Sequence, residues 1–235
     1  MSSKVAYLLT CNENQSLEQL NSALLEHVSA QLRERACAHF TINVFDEKVE
    51  AAKAMHMQRQ QPPINAVVFV WCDNESEFKT VEQVLNTHVT VLSGYALEEF
   101  SRIPATPQLQ AQQTFNGART PGMMQLAFLK VPERLEYDEW LSIWRNLHTQ
   151  VAIDIQSTFI YRQNVIKQCV AGKDIGFTAI VEEAFPVEAM TSQRAFYDAQ
   201  TDVELVERQT AMWKSSKRFI DLHDLDVLPT SEYCW

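Results

Sequence analysis

Residues 124–151 read MQLAFLKVPERLEYDEWLSIWRNLHTQV. Leu126 to Val131 is an apolar run stopped by Pro132, the pattern of a buried strand. Beyond a charged turn, Trp140, Trp144, Leu147 and Val151 recur at three- and four-residue steps. That spacing predicts a helix with one buried face. His148 stands eight residues after Trp140 and four after Trp144, so it shares the tryptophan face.

Working outward, the same alternation of periods continues. Thr158 to Val165 and Phe177 to Val181 read as strands, Met190 to Lys214 as partly helical, and Phe219 to Leu222 as a closing strand. The N-terminal half has the same outline. Val5 to Thr10 is a strand, and Leu17, Leu20, Leu24, Val28 and Leu32 mark a helix. Phe40 to Phe45 and Ala66 to Trp71 are strands, Glu75 to Asn86 is a helix, and Val89 to Leu92 closes the set. Each half is thus βαββαβ, an α+β unit in which a four-stranded antiparallel sheet carries both helices on one face. The stretch Pro104 to Gly122, rich in Pro, Gly and Gln, separates them. We therefore expect an N-terminal unit at 1–103, a linker at 104–122 and a C-terminal unit at 123–235. A weaker break falls at Gln60 to Pro63. An offset of 121 superposes Val5 on Leu126, Phe40 on Tyr161, Asn43 on Asn164 and His27 on His148. An offset of 120 fits the helices, with Leu20 on Trp140 and Leu24 on Trp144. A one-residue difference in the loop before the helix would reconcile them.

Composition narrows the function classes. The chain has 235 residues, 46% of them hydrophobic, which is enough for a sizeable core. Its formal charge of −10 argues against general nucleic-acid binding. From its five glycines neither common phosphate-cradle motif can be written. No apolar run approaches the roughly 20 residues of a membrane span, and Met1 to Thr10 lacks the features of a signal peptide. Cys11, Cys37, Cys72, Cys169 and Cys234 are odd in number and far apart, with no C-x-x-C. They read as reduced thiols of a cytoplasmic protein without a metal site.

Three places could carry chemistry. His148 beside two tryptophans is either a packed core residue or a proton carrier in a cavity, held neutral by apolar neighbours. Alternation puts Phe159, Tyr161, Gln163 and Val165 on one face of their strand and Ile160, Arg162, Asn164 and Ile166 on the other. Tyr161 is either core or a hydroxyl donor. Of Glu182 and Glu183, one must face inward, where desolvation suits a carboxyl to acid–base work unless the strand end simply emerges into water.

These residues resemble the EthD-like family. Its pattern of an aromatic, three residues, Trp, three residues, His falls on Trp140, Trp144 and His148. Its Tyr-x-Gln-Asn segment falls on Tyr161, Gln163 and Asn164. Its acidic residue three before a phenylalanine falls on Glu182 with Phe185, and its Phe-x-Asp on Phe219 and Asp221. The match covers about residues 123–230, while the first half follows the layout without the Trp-x-x-x-His pattern. The resemblance implies a dimeric α/β-barrel, here closed within one chain by tandem ferredoxin-like repeats. It further implies His148, Tyr161 and Glu182 as catalytic and Trp140, Trp144, Gln163 and Asn164 as substrate-binding. The ligand would be a small, largely apolar or aromatic oxygenated metabolite. No cofactor is called for. Haem occurs in the superfamily, but here only His148 offers an axial ligand. Cofactor-free isomerisation, cyclisation, dehydration or oxygenation fit such a site. The alternatives are a non-catalytic binding or accessory protein of a degradative redox system, and a packed pseudo-dimer without a pocket. A monomer with an internal pseudo-dimer, or a homodimer, satisfies the sheet faces.

Overall fold

Strand β1 (Ser3–Thr10) is apolar on both of its faces: Val5, Tyr7 and Leu9 join one core cluster, and Ala6 and Leu8 another. A strand of that kind needs cover on two sides, which decides the architecture. In this computed structural model, which describes residues 3–35, 39–113 and 117–235, β1 lies between β3 (Ala66–Cys72) and β4 (Thr90–Ile103), with β2 (His39–Val44) beyond β3. The C-terminal unit repeats the order β2-β3-β1-β4 as β7 (Ile160–Gly172), β8 (Ala179–Phe185), β6 (Met123–Leu129) and β9 (Asp226–Cys234). All pairs are antiparallel. Two seams join the units: β4 to β7, with Phe100 opposite Gln163, and β2 to β9, with Asn43 opposite Glu232. The eight strands close into a barrel, and the short β5 (Ala118–Arg119) adds to the edge of β9. Closure gives each of the eight strands a partner on both sides. This is the tandem ferredoxin-like, intramolecular dimeric α/β-barrel expected from the sequence.

The helices lie outside. Helix α1 (17–35) starts at Ser16, which forms a capping box with Gln19, and contains a π turn at Ala23–Val28. Glu75–His88 is α2, and α3 (Pro107–Gln113) lies in the stretch between units. Helix α4 (137–155) has its π turn at Trp144–His148. The C-terminal unit ends its helical part with α5 (Gln193–Phe196) and α6 (Asp202–Ser216).

Burial fixes how the halves correspond. Leu20, Leu24 and Val28 occupy the buried places of Trp140, Trp144 and His148, all at offset 120, whereas His27 is exposed. Position 148 therefore corresponds to Val28 and not to His27. The first strands also align at 120. Val5 pairs with Val70 as Gln125 pairs with Glu183, so Val5 corresponds to Gln125 rather than Leu126. The extra residue lies after the helix, since Phe40 and Tyr161 occupy equivalent places at 121.

The closing strand is also corrected. It is Asp226–Cys234, not Phe219 to Leu222. Phe219 sits in the turn after α6 with its ring 4.6 Å from that of His148, while Leu222–Asp224 is a 3-10 turn. The stretch after β4 does more than span a gap, because Ala105 and Leu109 pack into the barrel interior. Cys37 and residues 114–116 of the expected linker lie outside the described residues. Among the described residues no helix is long and apolar enough to cross a membrane.

Candidate active site

Three neighbouring strands of the C-terminal unit place Gln125, Glu183 and Tyr161 side by side. Gln125 pairs with Glu183, and Glu183 with Tyr161. Their side chains point to the helix layer, where α4 brings His148 over the row. The π turn does not explain the histidine, because α1 carries one too; what differs is the residue placed there. Together with Trp144, Gln156, Met212 and Ser216, these side chains line a hollow of about 120 Å³.

The N-terminal unit provides an internal control. Its equivalent row is Val5, Val70 and Phe40, with Val28 in the place of His148. The same scaffold thus folds with hydrocarbon at all four positions. Four polar groups at these places in the other unit meet no demand of the fold itself, and each costs desolvation.

Electrostatics separates their roles. His148 is 8% exposed, and burial pushes its pKa down to about 4, so the imidazole is neutral near pH 7. Its Nδ1 lies 3.0 Å from Ser215 Oγ. Glu183 is also buried. Burial pushes its carboxyl up to about 7, only weakly opposed by Gln125, whose Nε2 donates to Oε2 across 3.4 Å. The Tyr161 hydroxyl is pushed up by burial and by the charge of Glu183, so it remains a donor. Gln156 Oε1 is buried without a partner among the described residues. A buried orphan costs about 1–3 kcal/mol, which a ligand in the hollow can relieve.

The residues expected from the sequence divide between two compartments. His148, Tyr161 and Trp144 meet at the hollow. Trp140 packs behind Trp144, with ring centroids 5.3 Å apart. Gln163 faces the same layer but is committed to the helix: its Nε2 donates to Thr149 Oγ1 at 2.9 Å. Glu182 and Asn164 face the barrel interior, on the far side of the sheet from His148, and bond each other at 2.8 Å. There Lys4 and Arg162 overcome the effect of burial and hold the Glu182 carboxyl well below the usual carboxylate range. The structure therefore brings Glu183, not Glu182, to the histidine. Glu183 is one of the pair of which the sequence requires one to face inward, although the resemblance points to Glu182; Gln125 is not singled out by the sequence. Glu183 shares its face with Val181, which packs on the tryptophans, but Ile180 is equally apolar and packs in the barrel interior, so the sequence alone does not decide the parity.

A haem does not fit. A hollow of about 120 Å³ is far smaller than a porphyrin. Among the described residues no group of three or more His, Cys, Asp or Glu is placed to hold a metal ion.

No protein-family model matches the sequence, and no curated protein matches it. Solved structures do match. The chain is similar to an anthrone oxidase-like protein, with a TM-score of 0.57 at 10% identity, over 100% of this chain and 91% of that one. The chain has the dimeric α/β-barrel fold. It is also similar to a mutant chlorite dismutase from Candidatus Nitrospira defluvii, with a TM-score of 0.44 at 9% identity, over 97% of this chain and 90% of that one. At 10% identity the likeness to the anthrone oxidase-like protein is one of fold.

Proposed function

We propose that the C-terminal unit of this dimeric α/β-barrel is a cofactor-independent proton-transfer site for a small, largely apolar or aromatic oxygenated metabolite, serving its oxidation. The observation that carries this reading is the exchange of Val5, Val70, Phe40 and Val28 for Gln125, Glu183, Tyr161 and His148 on an otherwise repeated scaffold. The resemblance to the EthD-like family over Trp140, Trp144, His148 and Tyr161 supports it, as does the likeness to an anthrone oxidase-like protein.

The division of labour follows from the pKa values. A base works best when its pKa is near the working pH. Glu183, at about 7, meets that condition; His148, at about 4, does not. Glu183 takes the proton from a carbon or phenol acid. With Ser215 donating to Nδ1, the neutral imidazole presents Nε2–H, and with the Tyr161 hydroxyl it holds the oxyanion that forms. Dioxygen, as co-reactant, then oxidises the bound anion.

The inner hollow admits only the reacting end of such a molecule, since ligand sites are usually about 300–1,000 Å³. A cleft of about 510 Å³ lies next to it and shares Leu129, Ile220 and Leu225 with it. The remainder of the ligand lies in that cleft, beside Lys130 and Arg134.

Anthrone is a suitable probe. Its oxidation to anthraquinone consumes one dioxygen and releases one water. We expect dioxygen uptake with anthrone that falls at least about a hundredfold in Glu183→Gln, in line with the contribution of a positioned base. Exchange of the acidic carbon protons with deuterated water is followed alongside. Neither uptake nor exchange above the buffer rate would reject this reading for anthrone-like acids. Ligand-induced stabilisation without turnover would favour the binding-protein reading instead.

A further inference from the structure

The interior of the barrel is hydrocarbon toward one end, with Leu8, Phe128 and Ile180, and ionic toward the other. Five charged side chains form an alternating chain there: Glu99, Lys4, Glu182, Arg162, Glu232. Lys4 Nζ lies 2.5 Å from Glu99 Oε2 and 2.5 Å from Glu182 Oε1. Arg162 Nη1 lies 2.8 Å from Glu182 Oε2 and 2.9 Å from Glu232 Oε1. Two cations against three carboxylates leave one negative charge. Burying the inner four is costly compared with the leucines and phenylalanines nearby, while Glu99, at the end of the chain, is partly exposed.

The two ends of the chain differ. At Glu232 the Thr120 hydroxyl donates to Oε2, which closes that end. At Glu99, Oε1 has no hydrogen-bond partner among the described residues. Glu99 lines a cavity of about 340 Å³ at the barrel mouth, with Trp71, Ser101, Ala105 and Arg162 among the other walls. Both units and the stretch between them contribute, and the hollow at His148 lies across the sheet.

We propose that this mouth binds a small organic cation: a primary ammonium on a short aromatic or apolar body. The ammonium donates to Glu99 Oε1 and supplies the missing positive charge at the open end of the chain. The body lies against Trp71 and Ala105. An anion is disfavoured, because the Arg162 guanidinium is already shared by two carboxylates and a third stands nearby. The protein itself shows that the Trp71 wall accepts an ammonium: Lys4 Nζ sits 4.9 Å from its ring centroid. The volume falls within the usual range for small ligands.

The test is calorimetric titration of the full chain with 2-phenylethylamine, and with 2-phenylethanol as the uncharged counterpart. The expected result is saturable one-to-one binding of the amine, at least about tenfold tighter than the alcohol, as loss of one charge-assisted hydrogen bond implies. Glu99→Gln should weaken amine binding by a similar factor. Ser101→Phe, a substitution at an exposed wall outside the ion chain, should abolish it by filling the cavity. His148→Val should leave it unchanged. Equal binding of amine and alcohol, or absence of saturable amine binding at millimolar concentration, overturns the proposal. So does amine binding that survives Ser101→Phe in a variant with the wild-type thermal midpoint.

Discussion

The substitution Glu183→Gln gives the sharpest test of the electrostatic argument, because it needs no knowledge of the substrate. In the folded chain the carboxyl is raised from 4.5 to about 7 by burial. At about 1.4 kcal/mol per pH unit, that rise is worth about 3 kcal/mol. The sign follows from the proton count. Below pH 4.5 the group is protonated in both folded and unfolded chains and contributes no pH dependence. Between 4.5 and 7 the unfolded chain releases the proton while the folded chain holds it, so stability falls as pH rises. Above 7 both are ionised and the full loss of about 3 kcal/mol is in place. Glutamine cannot ionise and keeps the contact with Gln125. The variant should therefore match the wild type near pH 4.5 and exceed it by about 3 kcal/mol at pH 8. Urea unfolding at both pH values, followed by tryptophan fluorescence and circular dichroism, measures the difference. Other titrating groups cancel in the comparison. A difference that does not change with pH, or a variant less stable than wild type at pH 8, would refute the claim that Glu183 is buried without a counter-ion.

Other predictions follow from the same coordinates. His148→Val should fold, since Val28 fills the equivalent place. Because the folded pKa is lowered to about 4, wild type loses the stabilisation from His148 as pH falls from about 6.5 to 4, and the variant should not; melting curves across that window decide it. Arg162→Met removes the partner of two fully buried carboxylates and should cost about 3–5 kcal/mol in urea unfolding. Gly122 has a φ of +76°, and a Cβ there would lie 2.0 Å from the Phe185 carbonyl oxygen. Gly122→Ala should therefore lower the thermal midpoint clearly, with a strain of at least about 1–3 kcal/mol.

The barrel was legible where one period ruled. The Trp140, Trp144 and His148 stripe sets α4, and the matching leucines set α1. Strands β4 and β7 are longer than the sequence suggested, at 14 and 13 residues, because their outer halves carry charged residues such as Glu98 and Lys167 and pair across a seam. No local pattern announces a partner about 70 residues away. Strand β9 was missed for a related reason. Its inward side chains Asp226, Thr230 and Glu232 are polar and fully buried, so hydropathy reads the segment as surface. The same mixture concealed which glutamate faces the helices. Ile180 and Val181 on β8 are both buried, one on each side of the sheet, so apolar character alone could not assign the parity of Glu182 and Glu183.

Both seams of the barrel, β4 with β7 and β2 with β9, join segments of one polypeptide. An assembly of two separate protomers would come apart on dilution, whereas here each half meets the other at the high effective concentration set by its tether. Ring closure therefore needs no second chain. Covalent fusion also releases the halves from identity: one can keep valine where the other keeps an acid, and neither change is copied around the ring.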